Sequence, residues 1–389
     1  MAKKRIGILT GGGDVPGLNL AIKQVVLEAT SEEYEVVGIR RGWGGLLHYN
    51  IDDKATHELY TLPLNPLVVR RVDRTGGTFL HTSRTNPGNV RPKDAPEFLA
   101  QSSMGKQVKD DGTKDYTDHI LKVLDHLKLD SLITIGGDDT LSYSNRLDKE
   151  GFKVVAIPKT MDNDVAGTDY CIGFSTSISM GVSLITNFRT SVGSHERIGV
   201  VELFGRYSGE TSLITGYLCY ADRAVIPEVP YNPEKLCSFL SEDKARNPSH
   251  YAIVVISEGA TTEGGKMVES GEADAYGHRK LGGIGEVLAT QIKQLTGHNT
   301  MFQRLAYLVR SGPPDMLDRM VAMNYGTLAW QMTQRKEFGC MVAINNGRYN
   351  SVPLSTVREK RHVDVDRFYD VDEYKPKIHD VIGLPMFLE

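Results

Sequence analysis

The stretch that decides the fold is RIGILTGGGD, residues 5–14, in which a short apolar run leads directly into three glycines and an aspartate. The run predicts a strand, and residues 20–28 after it have the apolar spacing of a helix. Three glycines before a helix leave backbone N–H groups unshielded, which suits a phosphate. The motif is neither a Walker A loop nor GxGxxG, and an ordinary tight turn is the alternative interpretation.

The same pattern of a short apolar run, glycines and a helix-like stretch recurs along the chain. The runs that predict further strands are residues 34–39, 131–135, 153–157, 198–203 and 251–257. Runs rich in Val and Ile are typical of parallel strands buried on both faces. Between them, residues 117–128 have helical spacing, with Thr117 or Asp118 as the predicted N-cap. The predicted fold class is therefore doubly wound α/β.

Composition and charge exclude several classes of protein. Of the 389 residues, 40% are hydrophobic and 24% charged, which is globular composition and neither disordered nor collagen-like. The formal net charge of -4 gives no basic field for nucleic acid or an anionic membrane, and the apolar runs are far shorter than a membrane span. The first residues lack the pattern of a signal peptide, and the four cysteines are widely spaced. We expect a reduced, cytoplasmic protein with no nucleic-acid or membrane partner.

A second junction of strand and glycines places two carboxylates at the start of a predicted helix. It consists of Gly136, Gly137, Asp138, Asp139 and Thr140. The helix dipole stabilises acidic side chains at this position, so ordinary N-caps are one interpretation. Carboxylates beside a phosphate-binding backbone also commonly hold Mg²⁺ between protein and substrate. The junction therefore predicts Mg²⁺ as the cofactor.

The third junction follows the predicted strand at residues 153–157 and contains Lys159, Asp162 and Asp164. One of the two carboxylates can accept a proton while the other fixes geometry or a metal, and Lys159 brings a compact positive charge for phosphate. Loops are often rich in Asp and Asn, so a structural turn is the alternative. Because the carboxyl ends of strands form the ligand crevice of a doubly wound sheet, the three junctions are expected to meet. Together they indicate phosphoryl transfer.

With these residues in view, the chain resembles the 6-phosphofructokinase family over nearly its full length. The matching segments are residues 11–14 and 16–19, 77–80 and 83–84, 136–139, 159–164, 194–198, 204–209, 257–259, 310–312 and 318–319. The resemblance implies two doubly wound, Rossmann-like α/β domains with the active site in the cleft between them. Residues 1–173, with about 310–360 returning, would form the phosphoryl-donor and magnesium domain. Residues 174–309 would form the fructose 6-phosphate domain, and residues 361–389 a C-terminal extension.

The resemblance also implies roles for individual residues. Asp162 looks like the base that takes the proton from the sugar 1-hydroxyl, and Asp138 looks like the metal ligand. The implied catalytic residues are Asp162, Asp139, Lys159 and Arg206. The implied fructose 6-phosphate ligands are Thr160, Asp162, Asp164, Arg197, Phe204, Gly205, Arg206, Glu258, Arg304, Tyr307 and Arg310. The implied diphosphate ligands are Gly12, Gly13, Arg84, Asp139 and Lys159.

Two positions indicate the phosphoryl donor, because ATP-using members of the family usually have glycine where this chain has Asp139 and Lys159. An aspartate there fills space that the α-phosphate of a nucleotide needs and repels its charge, whereas Lys159 supplies charge to a diphosphate. Tyr143, one helical turn after Asp139, is expected to fill the space of the adenine. The chain thus resembles the pyrophosphate-dependent branch, which implies reversible transfer from diphosphate to fructose 6-phosphate, giving fructose 1,6-bisphosphate and phosphate.

Arg197 matches an arginine that the family donates across a subunit interface, which implies a homodimer or homotetramer. A second such arginine has no clean match: Met301 stands at its aligned position, and Arg304 is a candidate substitute. Phe204 replaces the family's usual Met, and Tyr307 stands where many bacterial members have His. These departures lie on the sugar-phosphate side of the implied site.

Three other functions are compatible with parts of the sequence. The first is an ATP-dependent 6-phosphofructokinase, and the second is a non-catalytic regulatory subunit, against which the intact acidic motifs argue. A lipid or NAD kinase shares only the glycine–acid element.

Two polar segments, residues 101–115 and 261–280, are predicted to be surface loops, whichever of these functions the protein has.

Overall fold

The computed structural model describes residues 3–358, 360–378 and 382. Its strands, in chain order, are β1 (Arg5–Thr10), β2 (Glu35–Ile39), β3 (Thr61–Leu64), β4 (Lys106–Gln107), β5 (Lys114–Asp115), β6 (Ser131–Gly136), β7 (Val154–Pro158), β8 (Ile198–Leu203), β9 (Arg223–Val225), β10 (Ala252–Ser257), β11 (Glu269–Ser270), β12 (Lys280–Leu281), β13 (Thr300–Arg304), β14 (Cys340–Asn345), β15 (Arg348–Pro353), β16 (Tyr369–Asp370) and β17 (Lys375–Pro376).

The helices are α1 (Leu18–Ser31), α2 (Gly42–His48), α3 (Lys54–Tyr60), α4 (Glu97–Ala100), α5 (Thr117–His126), α6 (Asp138–Lys149), α7 (Phe174–Ser194), α8 (Glu210–Leu218), α9 (Pro233–Arg246), α10 (Ile284–Thr296), α11 (Met316–Arg335) and α12 (Val365–Phe368). Short 3₁₀ turns lie at Val72–Arg74, Pro92–Asp94, Ala306–Arg310 and Leu354–Arg358. Among the residues described, no helix is long and apolar enough to cross a membrane.

A seven-stranded sheet holds the predicted phosphate motifs. Its strand order is β15-β14-β7-β6-β1-β2-β3, with parallel pairing from β14 to β2 and an antiparallel strand at each edge. From β1 the chain proceeds outward to β2 in one direction and returns to β6 on the other side. A ligand crevice forms at such a reversal, outside the carboxyl ends of the strands. The glycines after β1 and the carboxylates after β6 therefore share one edge of the sheet.

A second sheet of four parallel strands has the order β13-β8-β10-β9. Here the reversal lies at β8, whose carboxyl end leads into Phe204, Gly205 and Arg206. Strands from residues 5–158 and 340–353 form the large sheet, and strands between residues 198 and 304 form the small one. The domain boundaries at residues 173 and 309 stay a prediction, and residues 379–381 and 383–389 of the predicted extension lie outside the described residues.

Helices cover both faces of each sheet, which explains the uninterrupted apolar strands. In β1, Ile6 and Ile8 pack into a core with α1 and α11, whereas Leu9 packs into the core on the opposite face with α5. The small sheet likewise separates a core formed with α9 and α10 from one formed with α7. Burial on both faces is the arrangement that the Val- and Ile-rich runs predict.

All six predicted strands are present, with boundaries that agree within one residue. The predicted N-cap of α5 is wrong: Tyr116 occupies that position and caps with no side-chain hydrogen bond. The side chain of Asp115 instead accepts from the N–H and hydroxyl of Thr117, one residue inside the helix. The two predicted loops each contain a short hairpin, β4–β5 and β11–β12.

Candidate active site

The carboxyl ends of β1, β6, β7 and β8 border one cavity between the two sheets. Its lining contains Gly12, Gly13, Arg84, Gly137, Asp138, Asp139, Thr140, Lys159, Thr160, Met161, Asp162, Asp164, Arg206, Asp274, Tyr276, His278, Arg310 and Lys360. The three glycine and acid junctions therefore meet, as the strand topology predicts. Eleven of the seventeen residues to which the resemblance gives a role are in this lining. The other six, which are outside the lining among the described residues, are Arg197, Phe204, Gly205, Glu258, Arg304 and Tyr307.

The glycines after β1 differ from the predicted phosphate cradle. The N–H of Gly11 donates to the carbonyl of Ile135 at 2.9 Å, and that of Gly12 donates to the carbonyl of Ser83 at 3.0 Å. Helix α1 begins only at Leu18, so these N–H groups are not at its N-terminus. Gly12 has a φ of +77°, and a Cβ there would lie 3.4 Å from the Lys159 ammonium. Gly12 thus gives the lysine room, and diphosphate contact by Gly12 and Gly13 stays a prediction.

Asp138 and Asp139 form the first turn of α6, where the helix dipole stabilises their charge. An oxygen of Asp138 lies 3.1 Å from the ammonium of Lys360. An oxygen of Asp139 lies 3.4 Å from Nε2 of His278, and this hydrogen bond raises the pKa of the histidine. Both carboxylates line the cavity beside cationic groups, so they are more than helix caps.

Lys159 is the most buried cation of the cavity, with 4% of the residue exposed. Burial lowers the pKa of its ammonium to about 8, and the positive charges of Arg310 and Arg84 contribute in the same direction. Loss of water and repulsion by like charges both disfavour the protonated form. An anion bound among these three cations would relieve that repulsion, which is the expected electrostatics of a site for a highly charged phosphate.

Asp162 and Asp164 follow β7 in a loop held by Thr160, whose hydroxyl accepts from the N–H of Asp162 at 3.2 Å. Burial raises the pKa of Asp162 well above its ordinary value, and the charges of Asp164 and Glu258 raise it further. Burial also raises the pKa of Asp164. Within the described residues, the buried oxygen Oδ1 of Asp162 has no hydrogen-bond partner. A basic carboxylate with an open acceptor is what proton abstraction requires.

Arg310 connects the glycine loop to the small sheet. Its guanidinium lies 3.4 Å from Asp14, and the Tyr307 ring centroid is 4.6 Å from its carbon. Arg206, at the carboxyl end of β8, donates to the carbonyl of Arg279 at 2.7 Å. With Arg84 they form an arginine group around the cavity, suited to phosphate oxygens.

Several residues that were predicted to bind the sugar are absent from the cavity lining but lie close to residues that belong to it. Phe204 packs against Arg310, with 5.4 Å from the ring centroid to the guanidinium carbon. Burial raises the pKa of Glu258 to about 7, and the charge of Arg206 opposes this. Arg304 instead pairs with the buried Glu202 at 2.6 Å. Its guanidinium is therefore engaged within the small sheet.

The sequence reasoning missed the residues that two later segments bring to the cavity. One is the segment around the β11–β12 hairpin, which contributes Asp274, Tyr276 and His278. The hydroxyl of Tyr276 donates to the carbonyl of Thr85 at 3.0 Å, so this predicted surface loop in fact spans the cleft. The other segment contributes Lys360. The sequence signal for the hairpin was a run of charged residues among glycines, with Tyr276 and His278 close together.

Tyr143 is not part of the cavity lining, and its filling of the adenine space stays a prediction. Its ring packs edge-on against Trp43, with centroids 4.8 Å apart, in the core beneath the cavity. Only 4% of the residue is exposed. Tyr276 and His278, and not Tyr143, are the rings that border the donor side of the cavity.

The donor set fits a magnesium ion that arrives with a phosphate. The described part of the chain contains no group of three or more His, Cys, Asp and Glu residues that would hold a metal by themselves. Mg²⁺ is commonly bound by one or two carboxylates together with substrate phosphate oxygens and water. Asp138, a single carboxylate among the lysines and arginines of the cavity, fits that mode.

Comparisons with known proteins agree with this geometry. The sequence model of the family described as Phosphofructokinase matches residues 5–333. The pyrophosphate–fructose 6-phosphate 1-phosphotransferase of Thermoproteus tenax is 36% identical over 360 residues, which cover 92% of this chain and 94% of the relative. The ATP-dependent 6-phosphofructokinase of Chloroflexus aggregans is 35% identical over 353 residues, covering 91% and 90%.

The fold has solved counterparts. A crystal structure of a pyrophosphate-dependent phosphofructokinase from Nitrosospira multiformis superposes with a TM-score of 0.75, covering 99% of this chain and 96% of that one. The two sequences are 17% identical, so this likeness concerns the fold alone. It confirms the predicted α/β class.

Proposed function

The chain belongs to the phosphofructokinase family, and from that premise we propose that it is a pyrophosphate-dependent 6-phosphofructokinase. It transfers a phosphoryl group reversibly between diphosphate and the 1-hydroxyl of fructose 6-phosphate, with fructose 1,6-bisphosphate and phosphate as products. The observation that carries the proposal is the placement of Asp139 and Lys159, the two donor-specific residues, in one cavity with Asp162.

Asp162 acts as the general base in this proposal. Its unpartnered Oδ1 accepts the proton of the sugar 1-hydroxyl while that oxygen forms a bond to the terminal phosphorus of diphosphate. The bond from that phosphorus to the bridging oxygen breaks, and phosphate leaves. The raised pKa makes Asp162 a stronger base than an exposed aspartate, and Asp164 positions the loop.

Cations supply the rest of the catalysis, because phosphoryl transfer depends mainly on positioning and on neutralising charge. In this proposal Lys159 and Arg84 bind the diphosphate, and Arg206, which lines the same cavity, contacts the transferred group. Arg310, whose guanidinium lies against Phe204 and Tyr307, is assigned to the sugar phosphate. Asp138, together with diphosphate oxygens, would hold Mg²⁺, which would supply further charge neutralisation.

The choice of phosphoryl donor rests on the residues of the cavity, because some relatives are named for diphosphate and others for ATP. A relative named for diphosphate and one named for ATP are 36% and 35% identical to this chain. Asp139 places a negative charge, bonded to His278, at the start of α6. A nucleoside triphosphate would bring its α-phosphate toward that charge, whereas a diphosphate ends before it. ATP-dependent transfer is the second candidate, favoured by the similarity to the Chloroflexus enzyme.

The assembly is proposed to be a homodimer or homotetramer in the cytoplasm. Arg197, at the amino end of β8, is outside the cavity of its own chain among the described residues. That placement agrees with a role in a neighbouring subunit, where it would bind the 6-phosphate.

The donor is tested with purified wild-type protein and the double variant Asp139→Gly/Lys159→Gly. We expect the wild type to use diphosphate at least about 100-fold better than ATP in kcat/KM, because charge-assisted contacts favour the former. The double variant should lose most turnover with diphosphate. Turnover of ATP without turnover of diphosphate by the wild type would contradict the proposal and support the second candidate.

A further inference from the structure

A short segment near the end of the described chain runs along the cavity, and we call residues 360–363 the strap. On the side of the large sheet, Lys360 forms an isolated antiparallel bridge with Val165. The N–H of Arg361 donates to the carbonyl of Asp164 at 3.1 Å. The strap is thus bound directly to the loop that carries the proposed general base.

The strap is also bound on the side of the small sheet. Nδ1 of His362 lies 2.8 Å from the carbonyl oxygen of Tyr207. The N–H of Val363 donates to a carboxylate oxygen of Glu228 at 2.9 Å. Hydrogen bonds to both sides fix the backbone of the strap across the cleft. The backbone position from which the Lys360 side chain extends is therefore fixed as well.

The ammonium of Lys360 reaches into the cavity with two neighbours. It lies 3.1 Å from Oδ2 of Asp138 and 4.0 Å from the centroid of the Tyr207 ring. An ammonium has three N–H donors, and these contacts use one of them on a carboxylate. The contact with the ring face is electrostatic and needs no N–H of its own. Capacity for a further acceptor therefore remains on the cavity side.

The position of this charge is close to the reacting groups. Lys360 lines the same cavity as Asp162 and Lys159. Its charge opposes the effect of burial on the pKa of both Asp162 and Asp164. The Lys360 ammonium thus shares one cavity with Asp138, the carboxylate proposed to hold Mg²⁺, and with Asp162, the proposed general base.

We propose that Lys360 is a phosphate-binding residue of the active site, whose ammonium donates to the phosphoryl group in transit between diphosphate and sugar. The inference rests on the proposed function, because it assigns a further residue to that reaction. Lys360 lies beyond residue 333, where the match to the family's sequence model ends. The strap therefore adds a cation to the active site from a part of the chain outside that match.

The inference is tested by calorimetric titration of diphosphate into wild-type protein and Lys360→Met, with and without Mg²⁺. We expect Lys360→Met to bind diphosphate at least about tenfold more weakly under both conditions, the usual size of a lost charge-assisted hydrogen bond. Lys360→Arg, which retains the charge, should recover most of the affinity, and kcat should follow the same order. Thermal unfolding establishes that each variant is folded.

Lys235→Met is the matched control. Lys235 is also a lysine in contact with the C-terminal residues, through Asp372 at 3.3 Å, but it lies outside the cavity. Its replacement should leave diphosphate affinity within about twofold of wild type.

Different results contradict different claims. Equal affinity of wild type and Lys360→Met for diphosphate would overturn the role of Lys360. A loss confined to the titrations with Mg²⁺ would overturn the direct contact, since Lys360 would then act only through Asp138. Absence of wild-type turnover with diphosphate, measured separately, would contradict the proposed function and not the binding role.

Discussion

Asp162 is half-buried, lies next to a second carboxylate and has one buried acceptor oxygen without a partner in the described structure. Asp162→Asn keeps the shape of the side chain and removes the basic oxygen. We expect kcat to fall by about 10³-fold or more with little change in KM, because the lost interaction belongs to the transition state. Steady-state kinetics measures this, and an unchanged kcat would remove Asp162 from the mechanism.

Lys159 gives the site a dependence on pH. Burial lowers its pKa to about 8, so the lysine is charged below that pH and loses its proton as the pH rises through it. We expect kcat/KM for diphosphate to fall above about pH 8, because the free enzyme then lacks this cation.

Lys159→Met separates this effect from the ionisation of diphosphate, which is the same for both proteins. The ratio of wild-type to variant kcat/KM should be large near pH 7 and decrease toward pH 9. A ratio that stays constant across this range would show that the charge of Lys159 does not contribute to binding.

The sequence predicted these residues because strand ends in an α/β sheet are recognisable from local patterns. It could not predict their pKa shifts, which arise from burial by segments far away in the chain. It also could not predict that Tyr143 packs against Trp43, because helical spacing from Asp139 says nothing about that contact.

At the scale of elements, Asp318 joins α11 to the start of α7. Its carboxylate accepts from the hydroxyl of Tyr170, the N–H of Gly173, and both the N–H and hydroxyl of Thr176. The residue has no exposed surface. Four donors around one buried carboxylate fix the helix pair that the chain uses to pass between the two sheets.

Asp318→Asn replaces one acceptor oxygen by an NH₂ group that faces donors. We expect the free energy of unfolding to fall by roughly 2–4 kcal/mol, measured by denaturant unfolding near pH 7.5. Asp110→Asn, the same change at an exposed position, should alter it by less than about 0.5 kcal/mol. Equal stability of Asp318→Asn and wild type would show that the carboxylate does not hold the helix pair.

The sequence predicted the elements that have a local pattern of apolar residues, and it did not predict the β11–β12 hairpin or the strap, which have none. Strands such as β1 and β10 follow from runs of apolar residues. The hairpin segment is polar and reaches the cavity through contacts such as Tyr276 with Thr85, which are 191 residues apart. Such contacts depend on the relative placement of the two sheets, and a single sequence carries no local signal for it.

At the scale of the whole molecule, the proposed role of Arg197 requires a second subunit. Asp162→Asn chains retain Arg197, and Arg197→Ala chains retain Asp162. A mixed dimer would therefore contain one site with both residues. We expect each variant alone to have little activity and co-expressed variants to regain about half the activity per mixed dimer.

Light scattering of the co-expressed and separately purified proteins establishes the oligomer in each case. Activity no greater than the sum of the two separate variants, in a sample shown to contain mixed dimers, would contradict the subunit-crossing role of Arg197.

The measurement that tests the central claim most directly is ³¹P nuclear magnetic resonance of the purified chain with Mg²⁺, fructose 6-phosphate and diphosphate. We predict that the diphosphate signal is replaced by equal amounts of inorganic phosphate and fructose 1,6-bisphosphate, and that the same mixture forms from the two products. Diphosphate that stays intact, or that is hydrolysed to phosphate without formation of the sugar bisphosphate, would contradict the account.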